Sequence, residues 1–281
     1  MVCCIVNKTM VDIRPPHCLE FRHKQAPGNN PAIAPLPSNQ LLVAPANSGK
    51  TVLLNQMLLN KNLYRGCFQR IYVFSHSGPD GAKPALDRAW DDVQEYSAKV
   101  LHVDQKREKT FFNTMDEAAL KSILDQWLLI GDAIKSRIEK RGMRNEVKGA
   151  VIILDDYIDS HRFARTSPVI EALAARSRHC FLSVFFSVQS YRAVAPLVRR
   201  NVRVIYVFRL RNSACYLAPQ EEVAAVAGKE GFKLVYDAAV DEDHSFLTIR
   251  LDQPHDMFFR KFGERLKLQD SQPAGRPAPQ S

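Results

Sequence analysis

The residues best suited to chemistry are Gly49, Lys50 and Thr51, in the middle of the stretch LLVAPANSGKTVLLNQMLLN. An apolar run precedes them and a helical pattern follows at once, which is the strand-loop-helix layout of a nucleotide phosphate-binding loop. Lys50 can then reach the β- and γ-phosphates of ATP, and the Thr51 hydroxyl can bind Mg²⁺. Backbone N–H groups and the positive end of the helix would surround the phosphate oxygens. The residues expected to bind the nucleotide are Ala44, Asn47, Ser48, Gly49, Lys50 and Thr51.

One position of this loop departs from the usual pattern GxxxxGK[ST]. Ala44 stands where the first glycine belongs. Since alanine tolerates a positive φ less well than glycine, the loop must turn there with ordinary dihedral angles or carry strain. The alternative for the whole stretch is an accidental helix N-terminus that binds no nucleotide.

A second motif, AVIILDDYI, ends a predicted buried strand with the acidic pair Asp155-Asp156. Ligands of open parallel sheets bind beyond the carboxyl ends of the strands. We therefore expect Asp155 to hold Mg²⁺ and Asp156 to orient or deprotonate the attacking water. The alternative is a strand followed by an acidic turn without function.

A third motif, FFSVQSYRAVAPLVRRNV, ends a predicted strand at the polar residue Gln189. An amide at a strand tip next to the acidic strand can contact the γ-phosphate or the attacking water. The sequence then predicts a short helix that reaches Arg199, Arg200 and Asn201. A capped strand end with exposed arginines is the alternative here.

Alternating strand and helix patterns must position these motifs. The first predicted strand leads into the phosphate loop, and further apolar, β-rich runs occur at 70–76, 99–103, 150–156, 181–189, 202–208 and 245–251. A long helix is expected over 115–142 with Thr114 as its N-cap, and a shorter one after Thr166. The pattern predicts an α/β fold of the P-loop NTPase class, with a mostly parallel sheet flanked by helices. The runs at 70–76 and 99–103 suggest the RecA-like type in which an additional strand separates the loop strand from the acidic strand.

The amino-acid composition limits the kinds of partner and compartment that this chain can have. The chain has 281 residues, a formal net charge of +9 and a pI near 9.3, which favours a polyanionic partner. No cysteine pair has metal-ligand spacing, so free thiols in a reducing compartment are expected. No apolar run is long enough for a membrane span. We expect an N-terminal arm over 1–38, an ATPase domain over 39–268 and a disordered tail over 269–281.

The set of segments APANSGKT, VIILDDYI, ARSRHCFLSVFFSVQS and LVRRNV, in this order, resembles the genome-packaging ATPases of nucleocytoplasmic large DNA viruses, of the poxvirus type. That family is a branch of the FtsK/HerA superfamily of ring-shaped DNA translocases. The resemblance spans about residues 40–262, and residues 244–262 resemble the family's last strand and helix. The matching positions are Lys50 with Thr51, Asp155 with Asp156, Arg178 with His179, Ser187 with Gln189, and Arg200 with Asn201.

The resemblance implies an ATP- and Mg²⁺-dependent motor that moves double-stranded DNA into a capsid. It implies a homo-oligomeric ring, capsid or portal proteins as possible partners, and a location at the viral assembly site in the host cytoplasm or in the virion. Arg178 or Arg200 would be donated in trans to a neighbour's γ-phosphate. Arg162 and Arg165, which follow the acidic motif, are candidates for tracking DNA phosphates. A helicase, a remodelling ATPase and a non-hydrolysing nucleotide-binding structural protein are the alternatives.

Overall fold

The computed structural model describes residues 23–75, 88–141, 146–156 and 167–268. Its strands form a single nine-stranded sheet in the order β3-β2-β4-β5-β1-β6-β7-β8-β9. Strands β1 to β6 pair in parallel, and β7 to β9 add an antiparallel edge. The strands are β1 Asn39–Val43, β2 Phe68–Ser75, β3 Phe111–Phe112, β4 Gly149–Asp155, β5 Leu182–Val188, β6 Val202–Phe208, β7 Phe246–Arg250, β8 Phe258–Arg260 and β9 Glu264–Arg265.

Helices cover both faces of this sheet. The described α-helices are α1 Lys50–Leu59, α2 Arg88–Lys99, α3 Glu117–Arg141, α4 Pro168–Arg176, α5 Pro196–Arg200 and α6 Ser213–Ala239. The side chains of β4 and β5 are buried along the whole of both strands, because each strand carries apolar residues on both faces. Alternate residues therefore enter separate cores: Leu41 and Val43 of β1 pack on one side, and Leu42 on the other. The fold is that of a P-loop NTPase, as the sequence predicts.

Two local expectations were wrong, and the predicted additional strand is present. Residues 99–103 form no strand, because the N–H groups of Leu101 and Val103 donate to carbonyl oxygens at the end of α2. The additional strand between β1 and β4 is β5, which follows the acidic motif along the chain, whereas β2 and β3 lie beyond β4. Residues 244–262 contain β7 and β8 instead of a strand and a helix.

The long helix α3 begins later than expected. Asp116, and not Thr114, accepts a hydrogen bond from the N–H of Ala119 at its start. Aspartate is at least as good an N-cap as threonine, which allows the helix to begin after Asp116. Trp127 of α3 is 1% exposed and packs in the core, and its indole N–H donates to the Tyr72 hydroxyl.

Part of the predicted N-terminal arm packs on the domain. Residues Ile33, Ala34 and Leu36 are buried in the core on the α1 side of the sheet. The Arg250 guanidinium, 2% exposed, donates to the carbonyl oxygens of Pro31 and Ile33. The boundary at residue 38 stays a prediction, and the tail over 269–281 lies outside the described residues. Among the helices that the structure describes, none is sufficiently long and apolar to span a membrane.

Candidate phosphate-binding and catalytic site

Alanine in place of the first glycine of the motif, at Ala44, causes no backbone strain in the loop. The Ala44 N–H donates to the Val188 carbonyl at 3.0 Å, so this residue still continues the pairing of β1 with β5. Ala44 is fully buried and its φ is not positive. A glycine is not required at this position, because the chain turns later, at Asn47 (φ +60°) and Gly49 (φ +97°).

The N-terminus of α1 is arranged to receive an anion. Gly49 precedes the helix in the left-handed region, and no side chain caps the helix. The first N–H groups of an uncapped helix lack intrahelical partners and carry the positive end of the helix dipole. The Ser48 hydroxyl donates to the Pro45 carbonyl at 2.7 Å, which closes the loop above these amides. This geometry suits a phosphate group.

Lys50 is buried at the floor of the loop. Its side chain is 4% exposed, and its ammonium lies 2.6 Å from Oδ1 of Asp156 and 3.2 Å from the Ala44 carbonyl oxygen. The ion pair joins the phosphate loop to the acidic motif directly. A phosphate that binds Lys50 must therefore compete with the Asp156 carboxylate for the same ammonium group.

Thr51 and Asp155 also meet at this edge of the sheet. The Thr51 hydroxyl donates to Oδ2 of Asp155 at 3.1 Å, although the residues are 104 positions apart. Asp155 is 1% exposed, and among the described residues its Oδ1 has no hydrogen-bond partner. Burial, and then the charge of Asp156, raise the pKa of Asp155, while the hydroxyls of Ser187 and Thr51 act in the opposite direction.

The pair of Thr51 and Asp155 fits a Mg²⁺ ion. A buried carboxylate oxygen without a partner, next to a hydroxyl, offers the hard oxygen ligands that this cation prefers. The described residues contain no group of three or more His, Cys, Asp or Glu side chains able to hold a metal. That finding is compatible with Mg²⁺, which usually keeps several waters and takes only one or two protein ligands beside phosphates.

Asp156 and Gln189 follow neighbouring strands. Asp156 comes directly after β4 with φ +47°, a backbone region that aspartate enters more readily than most residues and that often marks functional sites. Its side chain is 39% exposed, although the Oδ1 atom that faces Lys50 is itself buried. Gln189 follows β5, which lies between β1 and β4, and it is exposed. The structure thus brings the loop, the acidic pair and this amide to one edge of the sheet.

The two candidate arginines lie at the opposite end of the parallel strands, where these strands begin. Arg178 belongs to the 3₁₀ turn Ser177–Cys180 before β5, and Arg200 ends α5 before β6. Since β5 and β6 run parallel to β1, both arginines lie near the beginnings of strands. The length of β5 separates them from Lys50 by about 20 Å, at roughly 3.3 Å per residue. Neither arginine can reach the phosphate loop of its own chain.

The buried side-chain amide of Asn39 connects the chain neighbours of these two arginines. Asn39, at the start of β1, accepts a hydrogen bond from the Ser177 hydroxyl at 3.0 Å and donates to the Asn201 carbonyl at 3.3 Å. Ser177 and Asn201 are the chain neighbours of Arg178 and Arg200. Among the described residues, neither arginine forms an ion pair. The segments that carry the two arginines therefore meet at the start of β1, with Arg178 half-buried and Arg200 exposed.

Two residues near the loop escaped the sequence analysis. The His244 imidazole Nδ1 lies 3.2 Å from the Ser48 carbonyl oxygen, and the Arg211 guanidinium donates to the Ala46 carbonyl at 3.4 Å. Both residues follow or precede strands at the antiparallel side of the sheet. Nothing in the sequence near them signals proximity to a loop 165 to 196 positions away. Arg162 and Arg165 lie outside the described residues.

Comparison with known proteins yields structural likeness alone. No protein-family model and no curated protein sequence matches the chain. The genome-packaging NTPase B204 of Sulfolobus turreted icosahedral virus 2 has 17% identity and a TM-score of 0.49, over 79% of this chain and 96% of B204. The pCW3 conjugation coupling protein TcpA has 13% identity and a TM-score of 0.48, over 81% and 60%. EssC ATPases 2 and 3 of Geobacillus thermodenitrificans have 12% identity and a TM-score of 0.50, over 81% and 38%.

These likenesses bear on the fold and not on the activity. The EssC ATPases share the α/β fold of this chain at only 12% sequence identity. The α/β architecture agrees with the sheet order described above.

Proposed function

We propose that this chain is an ATP-hydrolysing motor that translocates double-stranded DNA and packages a viral genome into a capsid. The observation that carries the proposal is the meeting of two motifs about a hundred residues apart: Thr51 lies 3.1 Å from Asp155, and Lys50 lies 2.6 Å from Asp156. This arrangement supports binding of ATP with Mg²⁺ at Thr51 and Asp155. The metal would neutralise charge on the phosphates.

In the proposed reaction, this chain's residues bind the nucleotide and position water. Lys50 and the amides of the loop hold the phosphates, and Asp156 accepts a proton from the attacking water. Gln189 contacts that water or the γ-phosphate from the neighbouring strand. The partial exposure of the Asp156 side chain supports this assignment, since water can approach it from the solvent side.

The proposed ring is supported by the position of Arg178 and Arg200. Both arginines lie about 20 Å from the phosphate loop of their own chain, because the length of a parallel strand separates them from it. An arginine that stabilises transition-state charge must then serve the site of another copy. The shared anchor at Asn39 makes both residues candidates for the same subunit boundary.

The proposed DNA path rests on charge. The net charge of +9 favours a polyanion, and backbone tracking requires basic side chains without base-specific contacts. We keep Arg162 and Arg165 as the candidate DNA residues, since they follow Asp156 along the chain. Their double replacement by alanine should lower DNA-stimulated turnover and leave basal turnover intact. An unchanged DNA response would remove both residues from the path.

The experiment that tests the function is ATP turnover without DNA, with duplex DNA and with single-stranded DNA. A duplex motor should be stimulated most by duplex, and its DNA affinity should fall steeply with added salt. Stimulation by single strands alone would favour a helicase. Absence of turnover, with nucleotide binding intact, would favour a structural nucleotide-binding protein.

The proposal also covers the oligomeric state, the partner, the location and the division of the chain into domains. The resemblance to the poxvirus-type family supports a homo-oligomeric ring, a capsid or portal partner, and a location at the viral assembly site or in the virion. The division into an arm over 1–38, an ATPase domain over 39–268 and a tail over 269–281 is proposed with it. Limited proteolysis followed by turnover measurements on the surviving fragment tests that division.

A further inference from the structure

A cavity of about 570 Å³ opens at the end of the molecule where the parallel strands begin. Leu36 and Pro37, which precede β1, and Phe181, which precedes β5, form its apolar wall. Lys135 of α3 and Arg178 also line it. The cavity therefore lies away from the phosphate loop and contains one of the two candidate arginines.

The walls of this cavity are held by the fold. The side-chain amide of Gln25 donates to the Leu36 carbonyl oxygen and accepts a hydrogen bond from the Leu36 N–H, both at 2.7 Å. Phe181 has φ +62°, a region that a bulky residue enters only where the surrounding structure enforces it. Its ring stacks on the buried imidazole of His23, with the ring centroids 6.4 Å apart. The cavity is thus a fixed feature of the domain.

The lining of the cavity carries more positive than negative charge. Among its described residues Glu146 supplies the one carboxylate, and Lys24 binds that carboxylate at 2.7 Å. Arg178 is half-buried and forms no ion pair within the described part of the chain. Lys135 pairs with Asp132 at 3.4 Å, but the Asp132 side chain is 76% exposed, so this pair is weak. The cavity therefore favours an anionic group.

The position of the cavity indicates where this anion comes from. Arg178 and Arg200 lie about 20 Å from the phosphate loop of their own chain, and the proposed function assigns one of them to the loop of another copy. The end of one chain where the strands begin then faces the phosphate-loop edge of the next chain. Such a head-to-tail contact generates a ring when its rotation closes. An acidic group at the phosphate-loop edge would therefore meet the cavity.

An acidic turn lies at that edge. It comprises Asp241, Glu242 and Asp243, and the next residue, His244, lies 3.2 Å from a carbonyl oxygen of the phosphate loop. Arg260 binds the first two carboxylates, at 2.8 and 2.7 Å, and so holds the turn in place. The Asp243 side chain is 94% exposed, and its ion pair within the described residues spans 4.0 Å. The turn thus presents the Asp243 carboxylate to the solvent.

We propose that the Asp243 carboxylate of one copy enters the cavity between Lys135 and Arg178 of the next copy. The inference rests on the proposed function, because it uses the ring and the order of its contacts. Charge complementarity identifies the occupant, and the apolar wall at Leu36 and Phe181 shields the pair from water, which strengthens its attraction. The contact determines which end of each subunit meets its neighbour.

The test reverses the charges of the proposed pair. Lys135→Glu and Asp243→Lys are made singly and together, since the double variant restores opposite charges at every boundary of a homo-oligomer. Lys121→Glu is the matched control, because Lys121 is an exposed lysine of the same helix, about 21 Å from Lys135 at roughly 1.5 Å per residue. Assembly is measured by sedimentation velocity with duplex DNA and a non-hydrolysable ATP analogue. Binding of the analogue by each variant confirms that it is folded.

Each single reversal should weaken assembly by about tenfold or more, since close charge pairs at interfaces contribute on that order. The double variant should recover the assembly of the unchanged chain. Lys121→Glu should assemble normally and should not rescue Asp243→Lys. Normal assembly of either single variant, or a double variant as weak as the single ones, would overturn the contact.

Neutral replacements keep the test decisive if a reversed chain fails to fold. Lys135→Gln and Asp243→Asn should each weaken assembly, and together they should weaken it no more than either alone, because they remove the same interaction. Additive losses would overturn the contact. An unchanged chain that binds ATP and stays monomeric would overturn the contact and the proposed ring, and would leave the proposed nucleotide site intact.

Discussion

Replacement of Asp156 by asparagine should separate nucleotide binding from hydrolysis. In the structure, Oδ1 of the Asp156 carboxylate forms an ion pair with the Lys50 ammonium at 2.6 Å. A γ-phosphate must take over this ammonium, so the carboxylate is a competitor before the reaction and a base during it. Asparagine keeps the shape of the side chain and removes the charge. We expect tighter binding of the nucleotide together with slower turnover.

The size of the binding effect follows from the geometry. Two unit charges at this distance attract by roughly 6 kcal/mol at an effective dielectric constant of about 20. Asp156 is 39% exposed and Lys50 is buried, so screening and desolvation cancel most of that attraction. Pairs of this kind retain about 1 kcal/mol, which corresponds to roughly fivefold tighter binding once the competitor is gone. Turnover should fall by about a hundredfold or more, because a positioned base contributes that much.

The assay combines calorimetric titration of a non-hydrolysable ATP analogue with steady-state turnover. Asp155→Asn is the matched control, since it removes one adjacent negative charge without touching the Lys50 pair. It should weaken binding in the presence of Mg²⁺ and leave Mg²⁺-free binding nearly unchanged. Weaker nucleotide binding in Asp156→Asn would refute the competition, and normal turnover would show that Asp156 is not the catalytic base.

Three further outcomes follow from the site. Lys50→Ala should abolish nucleotide binding and turnover, as measured by titration and phosphate release, because no other side chain of the loop carries a positive charge. Asp155→Asn should raise the melting temperature of the nucleotide-free protein at neutral pH, by about 2–4 °C for each kcal/mol of burial cost removed. Burial raises the pKa of Asp155, so its carboxylate costs stability above the folded pKa and the cost disappears as the pH falls through that value. The gain should therefore shrink in acid, and a gain independent of pH measured by calorimetry would contradict this account. In subunit mixing, Lys50→Ala protein combined with Arg178→Ala or Arg200→Ala protein should regain ATPase activity when the arginine acts in trans. Mixtures no more active than the sum of their components, with mixed rings confirmed by light scattering, would exclude both arginines.

The local structure around the candidate site could be predicted from the sequence. A glycine, a lysine and a threonine between a strand pattern and a helix pattern predicted the strand, loop and helix that the structure has around Gly49, Lys50 and Thr51. The apolar run before Asp155 and Asp156 predicted a buried strand with acidic residues at its end. Such features depend on neighbours along the chain, since the period of apolar residues and the backbone preferences of glycine act over only a few positions.

Strand order and the meeting of distant residues required the tertiary structure. The sequence predicted an additional strand between the loop strand and the acidic strand, but only the structure identifies it as β5, which follows both motifs along the chain. The direct pairing of Lys50 with Asp156 depends on this order, whereas the position of Arg178 and Arg200 at the other end of the strands depends on the parallel direction of β5 and β6. Residues 99–103 are of types that favour strands, yet N–H groups of this segment donate hydrogen bonds to carbonyl oxygens at the end of α2. The cavity beside Arg178 brings Leu36 together with Lys135 and Phe181, which are far from it along the chain. Contacts of this kind are decided when two cores pack on the opposite faces of one sheet, and a sequence pattern carries no record of which strands become neighbours.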